Sequence, residues 1–489
     1  MSEEILINVA PMETRVALID NGVLQEVYLE RLQNKGIVGN IYRGKVARVM
    51  PGMNAAFVDI GLDKAAFIHA SDISSIRAAE PIKKEEVPIS SLLKEGDPLV
   101  VQVIKDPLGT KGARLTTDLS VSSRYLVYMP HTKHIGISQR IENEAERERL
   151  HQIVEAGIVQ EKLGDSCGFI VRTVADGASQ EDLLKDVRFL ARLWNNLKSR
   201  LETVSTIGVI HEDLPLYLRT MRDLVKPSIE RVRIDSEQEY QRLLRFSEEY
   251  DSRPNFIEFY RGERPIFDLY SIDDEIEKAL DTRVQLKSGG YIILEQTEAM
   301  ITIDVNTGAF LGNRNLEETI YKTNLEAATA IARQLRLRNL GGIIIIDFID
   351  MKDAEHRRQV LRALEKALEK DRARTKVLGV SELGLVEMTR KRTRESLERV
   401  MCEPCAVCQG KGSIKSAETV CYEIFREILR EAKTYDTAEL MVLASQSVID
   451  RLLDEDSATV ADLEALSGKT IRFQVESVYA QHQYDVVLL

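Results

Sequence analysis

Two aspartates, Asp304 and Asp347, stand at the ends of two strand-like stretches, AMITID and GGIIIID, separated by the long amphipathic segment LEETIYKTNLEAATAIARQLRLRN. A helix of that length suits a crossover, so the two strands are expected to run parallel, and the continuous run Ile343 to Ile346 suits a strand buried on both faces. Parallel strands carry both carboxylates to one carboxyl edge, where ligands bind in such sheets. Close carboxylates repel, and the natural compensation is a bound cation. Hard oxygen ligands with no His or Cys among them favour magnesium or manganese over zinc. Asn306 is placed to bond a phosphate or steady a carboxylate, and Thr307-Gly308 lets the chain turn beneath it. Asp350 and Asp353 read mainly as helix caps before DAEHRRQVLRALEKAL, with Asp350 also a candidate for the outer shell. Capping is open to Asp347 too, whereas no helix begins directly after Asp304. The 7 histidines are scattered and offer no nucleophile, base and acid set, so hydrolysis by a metal-activated water is the simplest chemistry.

Three other groups could bind or ligate. Cys405 and Cys408 form a C-x-x-C in a Gly-rich knuckle, half of a structural zinc site. No second C-x-x-C exists, so two chains are expected to share one zinc through Cys405 and Cys408 of each, with Cys402 a spare thiol or a substitute ligand. Arg172 and Thr173, after the strand-like GFIV, pair a guanidinium with a hydroxyl in a way that suits a terminal phosphate. Phe57 and Phe67, with Lys64, His69 and Lys111 nearby, suit stacking of unpaired bases; the alternative is that both rings fill a barrel interior. Ser467-Gly468-Lys469-Thr470 resembles the end of a phosphate-binding loop, but position 463, where the leading Gly belongs, is Leu, and that reading fails.

These groups need several scaffolds. A chain of 489 residues exceeds what one core organises, and 44% hydrophobic with 29% charged residues is the composition of a folded soluble protein. The amino terminus lacks the basic and apolar segments of a signal peptide, no stretch is apolar enough to span a bilayer, and 5 cysteines argue for a reducing compartment, so a cytoplasmic location is expected. The net charge of -12 excludes a uniformly basic nucleic-acid binder. Basic residues nevertheless cluster at Arg333, Arg336 and Arg338, at Arg372, Arg374 and Lys376, and at Arg390, Lys391, Arg392 and Arg394, and an RNA path is expected to pass them unless they are solvated helix faces. Along the chain, residues 1–38 read as strands with a hairpin turn at Asn21-Gly22, 39–119 as a small barrel of short strands, and 120–220 as a compact α/β insert. Residues 221–280 read as mostly helical and 281–401 as the strand, helix, strand unit. The knuckle follows at 402–412, and 413–489 reads as a small α/β dimerisation domain.

The segments GNIYRGKVARVMPGMNAAFVDIGLDKAAFIHASDI, KSGGYIILEQTEAMITIDVNTGAF and RQLRLRNLGGIIIIDFIDM, with the Cys405 to Cys408 knuckle, resemble the bacterial ribonuclease E/G family nearly end to end. The resemblance implies an α/β multi-domain fold. Its parts are an RNase H-like domain split around an inserted OB-fold barrel of the ribosomal S-one type and a 5′-sensor, a DNase I-like catalytic domain, a zinc link and a small C-terminal domain. It places catalytic Mg2+ on Asp304 and Asp347 with Asn306, and RNA contacts on Phe57, Phe67 and Lys111. It places a 5′-monophosphate pocket on Ser123, Val127, Arg172, Thr173 and Arg374, Ser123 standing where the E branch has Gly, and structural Zn2+ between subunits of a homodimer. It implies an endoribonuclease cutting single-stranded, AU-rich RNA to 5′-phosphate and 3′-hydroxyl ends, acting on the 16S ribosomal RNA precursor and on messenger RNA. The chain stops at Leu489 after a strand, so no scaffold tail for a degradosome is expected. Two other classes compete: a non-catalytic RNA-binding factor, which has no need of the aspartate pair, and a metal-dependent DNA nuclease, which would tolerate loss of the 2′-hydroxyl.

Overall fold

The computed structural model describes residues 3–73, 87–107, 112–163, 167–226, 228–250, 256–308 and 316–489. They fall into two compact units, residues 1–397 and 398–489. The first strands, Glu3–Val9, Glu13–Asp20 and Val23–Arg31, form an antiparallel meander. Its second turn has left-handed Asn21 (φ 49°) and Gly22 (φ 77°), the backbone that a two-residue hairpin requires. Strands Ile229–Ile234 and Ile257–Phe259 complete this sheet in parallel with Glu3–Val9, so one sheet joins chain segments more than 200 residues apart. Residues 229–234 are thus a strand where the sequence pattern suggested helix: Ile229, Val232 and Ile234 bury against the meander's core.

Between these segments lies a five-stranded closed barrel. Ile41–Met50 pairs with both Ala55–Asp59 and Pro98–Lys105, and Ala66–His69 and Arg114–Thr116 close the ring. The short strand Gly208–His211 adds to its outside. A four-stranded sheet follows, in which Leu126–Met129 and Ile135–Ile137 flank Gly168–Val171, covered by helices Glu144–Gln160 and Gln180–Thr203.

The aspartates lie in a six-stranded mixed sheet ordered Arg283–Gln285, Tyr291–Gln296, Met300–Asn306, Gly342–Asp347, Val386–Arg390, Thr375–Val380. Helices Leu316–Leu337 and Ala354–Leu368 pack on one face, over Ile292, Leu294, Ile301, Ile303, Ile344, Ile346 and Met388. The other face is open: Asp304, Asp347, Glu387 and Thr389 are exposed. The expectation that Ile343 to Ile346 is buried on both faces is therefore corrected. Ile344 and Ile346 are fully buried, but Ile343 is 50% exposed, because both helices cover the same side.

In the second unit, Glu439–Ala444 pairs in parallel with Thr470–Val475 and antiparallel with Tyr484–Leu488, packed by helices Ala417–Thr434, Gln446–Leu453 and Ser457–Ser467. Gly468 ends the last helix in the left-handed conformation (φ 66°), and Lys469 Nζ donates to the carbonyls of Tyr435 (2.6 Å) and Thr437 (2.7 Å). That segment is a helix stop and no phosphate loop. No helix among the described residues is long and apolar enough to cross a membrane.

Candidate active site and RNA interface

The strands carrying Asp304 and Asp347 are neighbours and parallel, and the two residues are paired directly in register. Register partners share a face, so both exposed carboxylates project from the open side of the sheet at adjacent positions. Asn306 Nδ2 donates to Asp304 Oδ2 at 2.7 Å, which orients that carboxylate. The turn after Asn306 packs tightly: a Cβ on Gly290 would sit 2.7 Å from the Asn306 carbonyl, and one on Gly308 (φ 60°) 2.5 Å from that of Gly289. On the Asp347 side, buried Asn324 clamps the following backbone, donating to the Ile349 carbonyl (2.8 Å) and accepting from the Ile349 amide (3.1 Å). Asp353 caps Ala354–Leu368 through the Glu355 amide, the capping role expected of it, while Asp347 stays on its strand. Neither Asp304 nor Asp347 has an ion-pair partner among the described residues. Among those residues no group of three or more His, Cys, Asp or Glu gathers as a metal cluster. The donor set is thus two hard carboxylates, which fits magnesium, an ion bound through one or two carboxylates with water completing its shell.

On the barrel, Phe57 and Phe67 are register partners with ring centroids 6.2 Å apart in an edge arrangement. Ala56, Val58, Ala66 and Ile68 fill the interior, so both Phe rings face outward, half-exposed, and the reading in which they fill the core is excluded. Arg48 lies opposite Phe57 and Arg114 opposite Phe67, making a row of two rings flanked by two cations that the sequence alone did not single out. Arg114 is fixed by Asp72, with Nε at 3.0 Å. Lys111 lies outside the described residues.

Arg172, at the end of Gly168–Val171, donates through Nη1 to the carbonyls of Ser123 (2.7 Å) and Arg124 (3.2 Å) and through Nη2 to Asp223 (2.6 Å). Its Nε–H has no bond among the described residues. Thr173 Oγ1 lies 2.8 Å from Ser138 Oγ, and Val127 sits on the adjacent strand opposite Ile170. Buried Asp186 accepts on one oxygen from Ser123 Oγ, the Tyr125 amide (2.8 Å) and the Leu126 amide (3.2 Å). Burial pushes its carboxyl up to about 6, against the pull of those bonds. Asp186 and Asp223 were not foreseen; nothing in their sequence positions marks them. Arg374 is exposed at the start of Thr375–Val380, in a different sheet. Arg140 Nη2 donates to the neighbouring Arg372 carbonyl at 3.3 Å, a link between the two regions.

Residues 120–393 match the model of the ribonuclease E/G family, 35–117 that of the S1 RNA binding domain, and 404–488 that of the RNase E/G thioredoxin-like domain. The chain belongs to the ribonuclease E/G family. It is 53% identical to ribonuclease G of Salmonella typhimurium and of Escherichia coli K12, over 100% of both chains. It is 36% identical to ribonuclease E of E. coli K12, covering 94% of this chain and 44% of that one.

Within this family member, most arginines of the basic clusters are held by other protein groups, while Arg374, Lys376 and Lys391 are exposed. Arg333 holds the Leu24 carbonyl and Glu275, Arg336 holds Gln25, and Arg338 is buried on Gln334 and the Asp281 carbonyl. Arg390 is buried on Asp371, Arg392 donates to the Gly341 carbonyl, and Arg394 stacks on Tyr28 at 3.7 Å. Guanidinium groups carry several directed donors, so they serve here to satisfy carbonyls and carboxylates where segments meet. In the knuckle, amides of Gly412 and Gly410 point at Cys408 and, with the Cys405 thiol, lower its pKa, an environment suited to a metal-binding thiolate. Cys402 is exposed and does not gather with Cys405 and Cys408 into a three-ligand group.

Proposed function

We propose that this chain, an endoribonuclease by family, cuts single-stranded, AU-rich RNA with magnesium held by Asp304 and Asp347 and with stimulation by a 5′-monophosphate. The observation that carries this reading is the direct register pairing of the two aspartates on the open face of one sheet. Bound magnesium supplies charge neutralisation at the phosphate and acidifies the attacking water. Asp304 and Asp347 would hold it, the Asn306 bond fixes the Asp304 carboxylate for that role, and the outward Phe57 and Phe67 would stack bases of the strand being cut. In-line attack of water on phosphorus breaks the P–O3′ bond, leaving a 5′-phosphate on one product and a 3′-hydroxyl on the other. The physiological substrates proposed are the 5′ precursor of 16S ribosomal RNA, transfer RNA precursors and messenger RNA, in the cytoplasm. The wild-type chain, given a 5′-monophosphorylated AU-rich RNA, is expected to make internal cuts with magnesium and none with chelator. Tight binding without cuts in either condition would favour the RNA-binding factor.

The 5′-end pocket in this reading uses the free Nε edge of Arg172 and the nearby Thr173 and Ser123, with Val127 and Arg374 as its further members. Losing charge-assisted bonds to phosphate costs about 1.5–3 kcal/mol, so Arg172→Ala should slow cleavage of 5′-monophosphorylated RNA about tenfold or more. Cleavage of 5′-hydroxyl RNA should be spared; equal losses on the two substrates, measured as kcat/KM, would remove the sensor. Zinc shared through Cys405 and Cys408 of two subunits gives a homodimer with one zinc per two chains. Cys405→Ser is expected to lower the zinc content and shift sedimentation from dimer to monomer. A dimer persisting without zinc would refute the link.

A further inference from the structure

The open face of the aspartate sheet carries a second feature that the catalytic reading does not use. Across the sheet, Arg283, Ile293, Asp304 and Asp347 form one register row, and Gln285, Tyr291 and Asn306 form the row two residues along. Side chains of both rows project from the same face, because residues two apart on a strand and their register partners share a side. The Arg283 guanidinium stacks 3.8 Å from the centroid of the Tyr291 ring. With the Gln285 amide oxygen turned toward it, Arg283 also donates from Nε (3.0 Å) and Nη2 (3.2 Å), so the guanidinium is held by two bonds as well as by the ring. Arg283 is exposed and Tyr291 half-buried. Between the stack and Asp304 lies half-buried Ile293, so that step of the surface is apolar.

We propose that Tyr291, with Arg283 stacked on it, is a subsite for the unpaired base of a nucleotide adjoining the phosphate addressed by Asp304 and Asp347. The inference rests on the metal-site reading above and extends it to the base beside the cut. Tyr291 is one strand from Asn306 and Arg283 two strands from Asp304, so the platform begins within about 5–10 Å of the carboxylates, a span one nucleotide covers. A flat, fixed arginine–tyrosine stack offers a planar cationic surface on which any base can lie. The apolar Ile293 beside it suits a base face and offers a phosphate nothing. A sheet face that only needed to be soluble would carry a charged residue at the Ile293 position.

The test uses the full-length chain and a single-stranded RNA with one cleavage site, intact or with an abasic residue immediately 5′ or 3′ of the cut. Tyr291→Ala should lower kcat/KM on intact RNA about tenfold, chiefly through KM, and Tyr291→Phe, which keeps the ring, should restore it. One of the two abasic RNAs should be cut about as poorly by the wild type as intact RNA is by Tyr291→Ala, and that abasic change should cost Tyr291→Ala nothing further. Arg283→Ala, on an exposed edge strand, should give a smaller loss in the same direction and serves if Tyr291→Ala does not fold. Unchanged kcat/KM in both variants, or abasic and protein losses that multiply, would overturn the subsite, as would a change of oligomeric state with cleavage intact. Failure of the wild type to cut intact RNA with magnesium would instead overturn the metal-site reading, and the subsite with it.

Discussion

Asp304→Asn is expected to lower kcat on single-stranded RNA about a thousandfold, equivalent to about 4 kcal/mol, while RNA binding stays within about twofold of wild type. The substitution is nearly isosteric, and the new amide oxygen can still accept from Asn306 Nδ2, so the geometry at the edge is kept and only the charge is lost. A magnesium ion bound as proposed would lose half of its anionic ligands, and such an ion's stabilisation of charge at a phosphate is worth several kcal/mol. Asp347→Asn should behave alike, and the double variant should be little worse than either single one, because residues acting as one unit are not additive. Single-turnover rates and fluorescence anisotropy on the same RNA separate the two quantities. A loss confined to binding would remove both aspartates from the chemistry.

Arg390→Ala is expected to destabilise the first unit by about 3–5 kcal/mol. Arg390 and Asp371 form a two-pronged pair, Nε to Oδ2 at 2.7 Å and Nη2 to Oδ1 at 3.0 Å, with side chains only 5% and 2% exposed. Arg390 also donates to the Leu340 carbonyl at 2.7 Å, just before the Asp347 strand, and Asp371 accepts from the Ala373 amide at 2.8 Å. Truncating the arginine leaves a buried carboxylate without its cation and a buried carbonyl without its donor, and both penalties fall on the sheet that holds the aspartates. Urea unfolding followed by circular dichroism measures the loss. Arg390→Met combined with Asp371→Leu, which removes both charges and keeps volume, should recover most of it. A single variant as stable as wild type would mean that the pair contributes nothing.

The aspartate edge is legible in the sequence because its signals are local. A polar residue ending an apolar strand, a helix long enough for a crossover and a second such strand suffice to predict parallel pairing. The structure adds the register, which places the two aspartates side by side rather than merely at the same edge. The five-stranded barrel followed from short strands between Gly turns, and the hairpin from Asn21-Gly22. Asp186, Asp223 and Asn324 were not legible: each acts through a partner 25 to 63 residues away, and a carboxylate or amide in a helix has no spacing that announces such a contact.

By itself the sequence determined the elements and the chemical types: which stretches alternate, where the turns fall, and that carboxylates, aromatic rings and a cysteine knuckle are available. Only the tertiary structure decided which faces stay open. Ile343 to Ile346 reads as an uninterrupted apolar run, yet both helices pack on one side and leave Ile343 in solvent on the face that carries Asp347. Residues 229–234 became a strand because an open edge at Glu3–Val9 needed backbone partners, a demand set more than 200 residues away. The arginine clusters, basic enough in sequence to suggest an RNA track, are mostly consumed by carbonyls and carboxylates where segments meet. Charge is written in the sequence, but the desolvation and pairing that give each charge its role exist only once the chain has folded.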